Sequence, residues 1–365
     1  MTAGPGSRAT SLGRLGLHTL SSLPRELRPR VDPRSLGIGI VHLGIGAFHR
    51  AHQAVFTEDA IAAAGGDWGI CGVTERSATV VNQLAPQDGL YTVAVRGGAA
   101  RGLRVVGSVR ELRWALADTE GLLDRIAAPS TTVVTLTVTE KGYLHDPATN
   151  RLRLDSPEIV ADLEDRRART VVGQLVEGLD RRRHRSGAPM TIVCCDNLPD
   201  NGHVLGRLVR EFAACRDGED GLVQWIEANV RFPSTMVDRI VPATTAEDRA
   251  ELAAELGVED RGMVVTEPFS QWIIEDDFAA ARPAWERAGA ILTSDVAPYE
   301  RIKLRMLNGS HSTLAYLGAL ADYVFVSDAV TPDGPLLAAV RALMDNDVAP
   351  TLEVPPGFDL DRYQQ

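Results

Sequence analysis

The segment Pro298-Tyr-Glu-Arg-Ile-Lys-Leu-Arg-Met-Leu-Asn-Gly-Ser-His-Ser312 contains Lys303, one of two lysines among 38 basic residues; the other is Lys141. Lysine loses its proton when buried and arginine does not, so a chain built on arginine marks its lysines for inspection. Pro298 suits a first helical position and Glu300 the positive end of a helix. At about 100° per residue with Glu300 at the origin, Lys303 falls at about −60°, His311 at about +20° and Asn308 at about +80°. Four chemically capable side chains thus share an arc of roughly 140° on one helix, which favours a chemical role for that face over plain packing. The plain alternative is a capped helix with a Glu300–Lys303 ion pair, which contributes little when exposed.

A second cluster lies near the N-terminus. The apolar run Ile38 to Leu43 leads into Gly44-Ile45-Gly46-Ala47-Phe48-His49-Arg50 and then a helical stretch to Ala64. A strand, a glycine turn and a helix in that order form a dinucleotide-binding turn. Gly44 allows the tight turn and Gly46 the approach of a pyrophosphate to backbone amides, with Phe48 counted at the same cofactor end. The third glycine of the usual fingerprint is absent, and His49 stands there. Glu75, after the next strand, is the expected ribose carboxylate, while Arg76 beside it suits a 2′-phosphate, so NAD is favoured and NADP left open. His49 and His52 stand three apart, but no carboxylate or thiol pattern completes a metal site, and no metal is expected.

These residues need a scaffold, and the chain has one. Its 365 residues are 44% hydrophobic and 24% charged, an ordinary globular mix, with a prior of about two domains. The net charge of −11 argues against a nucleic-acid or anionic-membrane surface. The run Arg181-Arg182-Arg183-His184-Arg185 reads as a solvated helix end. No apolar run is long enough to span a membrane and no signal pattern opens the chain, so a cytoplasmic location is expected. Four cysteines without CxxC spacing make no disulfide framework. Residues 1–37 read as a mobile, partly packing leader. Strand-like runs at 69–73, 91–95, 103–106, 132–138 and 190–195 alternate with helical ones at 77–84, 118–127 and 159–183. That alternation predicts a doubly wound α/β fold to about residue 298, followed at 299–365 by the start of an all-helical domain.

Lys303-x4-Asn308-x2-His311 resembles the catalytic signature of the long-chain polyol dehydrogenases, the mannitol 2-dehydrogenase and fructuronate reductase family. His42-Leu-Gly-Ile-Gly-Ala-Phe-His-Arg-Ala-His52 resembles that family's nucleotide turn, and Phe232-Pro-Ser-Thr-Met-Val-Asp-Arg-Ile-Val-Pro242 its Val-Asp-Arg segment. Cys195-Asp-Asn-Leu-Pro-Asp-Asn-Gly202 and Thr266-Glu-Pro-Phe-Ser-Gln-Trp272 are similar as well.

The resemblance implies reversible, metal-independent hydride transfer between NAD(P) and C2 of a sugar alcohol or aldonate, giving the ketose or ketouronate. It implies Lys303 as the base on the hydroxyl and Asn197 and Asn308 as amide donors to the oxyanion. His311 then positions substrate, Glu300 exchanges the proton with solvent, and Asp238 lies near the substrate. Glu140 is implied near the nicotinamide without a role. Gln87-Asp-Gly-Leu-Tyr91 leans the reading towards the fructuronate–mannonate branch. Relatives continue beyond the equivalent of Gln365 into a region that binds distal substrate groups. The chain is therefore expected to lack part of its C-terminal domain, and the alternative is a nucleotide-binding remnant or sensor without turnover.

Overall fold

Short apolar runs rich in β-branched residues become the centre of the computed structural model, which describes residues 12–97, 100–216, 221–331 and 334–364. Six strands form one parallel sheet: β1 (Ile38–Leu43), β2 (Gly69–Thr74), β3 (Val109–Trp114), β4 (Val133–Leu136), β5 (Met190–Cys194) and β6 (Val230–Arg231). Their order across the sheet is β6-β5-β4-β1-β2-β3, with every neighbouring pair parallel. This is the doubly wound Rossmann order, and its direction reverses between β1 and β4. Ligands of such sheets bind in the crevice outside the strand ends at that reversal. β1, β2, β4 and β5 are buried almost throughout, which explains why they read as continuous apolar runs without alternation.

The chain divides into two compact units, residues 1–292 and 293–365. In the first, α1 (Ala47–Ala51) and α2 (Gln53–Ala64) follow β1, and α3 (Thr119–Ala127) starts at Asp118, whose side chain accepts from Gly121 N at 3.1 Å. The expected helix over 159–183 is two helices, Pro157–Asp165 and α4 (Val171–Arg185). The break has a local cause. The Asp162 carboxylate accepts from Arg169 N, Thr170 N and Thr170 Oγ1 at 2.7–2.8 Å, offering the backbone an alternative to helix.

Two further expectations change. Residues 1–11 of the leader lie outside the described residues, but from Leu12 onward the stretch is built into the first unit. Gly13–Arg14 pairs with Val258–Glu259, and Leu15, Leu20 and Leu23 are buried with Leu90, Val105, Leu252 and Leu256. Short 3-10 turns rather than a helix space those leucines, so no periodicity announces them. The arginine run is likewise not wholly solvated, because Arg182 is fully buried. It donates to Ala188 O (2.7 Å), Ile126 O (3.1 Å), Ala128 O (2.7 Å) and Pro189 O (3.1 Å), joining the end of α3 to the approach to β5.

The second unit is helical. α6 will denote Ala297–Ile302 and α7 Gly309–Leu320, after α5 (Asn201–Cys215) of the first unit. The six residues Lys303–Asn308 between α6 and α7 form a π turn, and a second π turn spans Leu343–Val348. Arg305 Nη1 donates to Thr351 O at 3.1 Å and Oγ1 at 3.0 Å, and the Tyr299 ring meets Phe358 edge-on at 5.6 Å. No described helix is long and apolar enough to cross a membrane.

Arg182 has no acidic partner in these four bonds, only carbonyls arranged for a planar fork. Lysine cannot reach four carbonyls in that geometry, and each buried acceptor left unpaired costs on the order of 1–3 kcal/mol. Arg182→Lys is therefore expected to lower unfolding stability by about 2 kcal/mol or more, read as a lower urea midpoint at unchanged slope. An unchanged midpoint would show that water replaces the guanidinium without loss.

Candidate active site

The turn after β1 is fixed by a close approach. Gly44 sits at φ +92°, where a side chain is strained, and a Cβ there would lie 2.2 Å from Thr137 O. Gly44 N and Ile45 N both donate to Val73 O at 2.9 Å, while Thr137 Oγ1 donates to Gly44 O at 2.9 Å. His42, fully buried, braces the same turn. Its ring nitrogens lie 2.7 Å from Thr135 Oγ1 and 2.9 Å from Thr137 Oγ1, and the ring stacks on His49 at 3.4 Å. Burial pushes the His42 imidazole down to about 3, so it remains neutral in this network. Arg50 Nε holds the second glycine through Gly46 O at 3.2 Å and also reaches Gly262 O.

Gly46 differs from Gly44. Its φ is −85°, and a Cβ would find nothing nearer than Gly44 O at 3.7 Å. Neither backbone nor packing demands a glycine, so the space is left for something outside the chain. The first N–H groups of α1, at Ala47 and Phe48, have no intrahelical acceptor by helix geometry. Phe48 is half-buried and stacks on His52 at 4.9 Å. Glu75 follows β2; Gln174 Nε2 donates to its Oε2 at 2.8 Å, while Oε1 is buried without a hydrogen-bond partner. Burial pushes this carboxyl up to about 7. A ribose hydroxyl is a donor that would satisfy the orphaned oxygen. An open glycine, free helix-start amides and an orphaned carboxylate oxygen together fit a dinucleotide.

At the ends of β4 and β5 the loops form a polar cavity of about 400 Å³, lined by Thr139, Glu140, Lys141, Asp196 and Asn197. Asn197 is exposed there. Its loop is held by Asn201, whose Nδ2 donates to Asp196 O and Thr235 O at 2.9 Å and whose Oδ1 accepts from Thr235 N at 2.9 Å. Thr235 opens the strand Thr235–Asp238, so the brace links the loop of Asn197 to the strand that ends in half-buried Asp238. Gln87 is structural, its amide joining Leu90 O, Asp260 Oδ1 and Arg261 N.

In the second unit Glu300 lies in the first turn of α6, Lys303 is buried, and Asn308 and His311 are exposed. The π turn alters the expected helical wheel. Gly309 N–H bonds to Leu304 O, five residues back, so each turn holds more residues than in an α-helix. Lys303 and Asn308, also five apart, come within about one turn of each other on one side, instead of standing about 140° apart as 3.6 residues per turn requires. π turns concentrate at functional sites. The sequence carried no signal for this one. Nor did it reveal the supporting roles of His42, Thr137, Gln174 and Asn201, although His42 and Asn201 stand within family-like segments. Among the described residues no group of three or more His, Cys, Asp or Glu side chains is arranged to hold a metal ion.

Comparison with known proteins identifies the family to which this fold is similar. Residues 38–287 match the mannitol dehydrogenase Rossmann domain, and residues 295–365 match the mannitol dehydrogenase C-terminal domain. D-mannonate oxidoreductase of Escherichia coli (strain K12) is 46% identical over 348 residues, 94% of this chain and 71% of that protein. The structure of Pseudomonas fluorescens mannitol 2-dehydrogenase, a ternary complex with NAD and D-mannitol, superposes with a TM-score of 0.87 at 40% identity, covering 96% of this chain and 72% of that one. A D-sorbitol dehydrogenase in substrate-free form gives a TM-score of 0.90 at 37% identity, covering 96% and 73%.

The two glycines separate fold from binding. Gly44→Ala combines a positive φ with a backbone collision and is expected to lower stability by about 2 kcal/mol or more. Gly46→Ala is expected to leave the urea midpoint within about 0.5 kcal/mol of the native value while weakening NADH binding at least tenfold by fluorescence titration. Full NADH affinity in Gly46→Ala would remove the turn from the cofactor site.

Proposed function

Since the chain belongs to the mannitol dehydrogenase family and is an oxidoreductase of that family, we propose that it transfers hydride between NAD and C2 of a sugar, interconverting a polyol or aldonate with its ketose or ketouronate. Bound NAD supplies the hydride acceptor, and its reduced form the donor. The Gly44–Gly46 turn, the start of α1 with Phe48, and Glu75 hold the dinucleotide. Arg76, exposed beside Glu75, leaves room for the extra phosphate of NADP.

Lys303 Nζ takes the proton of the reacting hydroxyl. Lysine, unlike arginine, can give up its proton in a protein, which suits it to the role of base. The amides of Asn197 and Asn308 donate to the oxygen as negative charge develops on it, and His311 positions the substrate. Glu300 passes the proton on to solvent, and Asp238 contributes beside the substrate. With a lysine as base, the scheme needs no metal ion to acidify the hydroxyl. The observation that carries this reading is the π turn that begins at buried Lys303 and ends at Asn308. It brings a lysine and an asparagine to one side of a helix, where a packing helix would place apolar side chains.

Purified protein mixed with NADH and D-fructose or D-fructuronate is expected to consume NADH, followed by its absorbance. Lys303→Ala is expected to lower kcat by on the order of 10²–10⁴ while NADH still binds. Lys303→Arg should fare little better, because arginine does not become neutral. An arginine variant with most of its activity would remove Lys303 from the role of base.

A further inference from the structure

Lys141, the second of the two lysines, has no part in the scheme above. It lies on the 3-10 turn Glu140–Tyr143 that follows β4. Thr139 enters that turn at φ +71°, ψ 154°, and Leu144 leaves it at φ +51°. The first conformation is costly for a β-branched residue and persists only where the surroundings impose it. Here Asp196 imposes it, accepting from Val138 N at 3.0 Å, Thr139 N at 2.9 Å and the buried Tyr143 hydroxyl at 2.5 Å. The Asp196 charge is thereby engaged in holding the loop.

The clamped turn presents Glu140 and Lys141 at the 400 Å³ cavity that Asn197 also lines. Among the described residues the Lys141 ammonium has neither a hydrogen bond nor an ion pair. An unpaired cation on a strained, tightly held loop, beside an amide at the ligand-binding edge of the sheet, is an anion receptor in chemical terms. The cavity volume suits a six-carbon chain.

We propose that Lys141 determines specificity for an acidic sugar, its ammonium pairing with the carboxylate of an aldonate or ketouronate while Asn197 serves the reacting end. This rests on the hydride-transfer reading above and adds the substrate class. D-fructuronate and D-fructose differ only at C6, a carboxylate in one and a hydroxymethyl in the other. The neutral sugar gains nothing from an ammonium. Glu140 is an acceptor for sugar hydroxyls but repels a carboxylate, so an anion enters this cavity only while Lys141 offsets that charge.

The test compares kcat/KM for those two ketoses in the wild type, Lys141→Gln and Lys141→Arg, together with NADH affinity by fluorescence. Lys141→Gln is expected to lose roughly 10- to 100-fold on D-fructuronate, through KM, and less than about twofold on D-fructose. Lys141→Arg is expected to recover most of the loss, and NADH affinity to stay within about twofold. Equal losses on both sugars, or unchanged discrimination, would overturn the proposal. So would a loss confined to NADH affinity, which would assign Lys141 to the cofactor's phosphates. Should the wild type turn over neither sugar, the hydride-transfer reading fails on its own. Calorimetric titration with D-mannonate and D-mannitol still decides Lys141: weaker binding of the acid alone in Lys141→Gln supports it, and equal binding overturns it.

Discussion

The approach of Gly44 to Thr137 O is the constraint from which the nucleotide end follows. It is possible only because β1 and β4 are neighbours, which is where the strand order reverses. A side chain at position 44 would push the two strand ends apart. With hydrogen alone the carbonyl of Gly44 turns inward to Thr137, the amides of Gly44 and Ile45 are used by β2, and α1 begins at once. Two side chains with distant partners complete the arrangement: His42, bonded to Thr135 and Thr137, on the first glycine's side and Arg50, which also reaches Gly262, on the second. The turn therefore meets a ligand already ordered, and little entropy remains to be lost on binding.

The loop of Asn197 follows the same logic with different chemistry. Half-buried Asp196 and buried Asn201 direct most of their hydrogen bonds to backbone, so they act as struts between segments distant in sequence. Exposed residues on those segments, Asn197 and Lys141 among them, are held without being buried. Polar interior residues next to a polar cavity are costly unless fully satisfied, and here nearly every atom of the two struts has a partner.

Much of this was legible in the sequence because it depends on local pattern. The strand, glycine turn and helix around Gly44, the continuous apolar runs of the parallel sheet and the Lys303 segment all declare themselves within a few residues. What stayed hidden depends on partners far away or on hydrogen-bond register. Gln174 meets Glu75 across 99 residues, and Asn201 meets Thr235 across 34. Arg182 sits in a run of charges that composition assigns to solvent, yet carbonyls from two other segments enclose it. The π turn differs from an α-helix only in which carbonyl each amide selects. No residue type specifies that choice, and so the wheel drawn at a uniform angle misplaced Asn308 relative to Lys303.

The short pairing of Gly13–Arg14 with Val258–Glu259 bears on how the first unit can be trimmed. The family match begins at residue 38, but the folding unit reaches back to about residue 13. An expression boundary placed at the start of the match would strip Leu15, Leu20 and Leu23 from the apolar surface of Leu90, Ala94, Leu252 and Met263. That surface would then be a sticky patch on an otherwise acidic protein, inviting aggregation during purification although every residue of the nucleotide turn is still present. Cutting ahead of Leu12 leaves the clip whole. The unit that homology recognises is thus shorter than the unit that packs together.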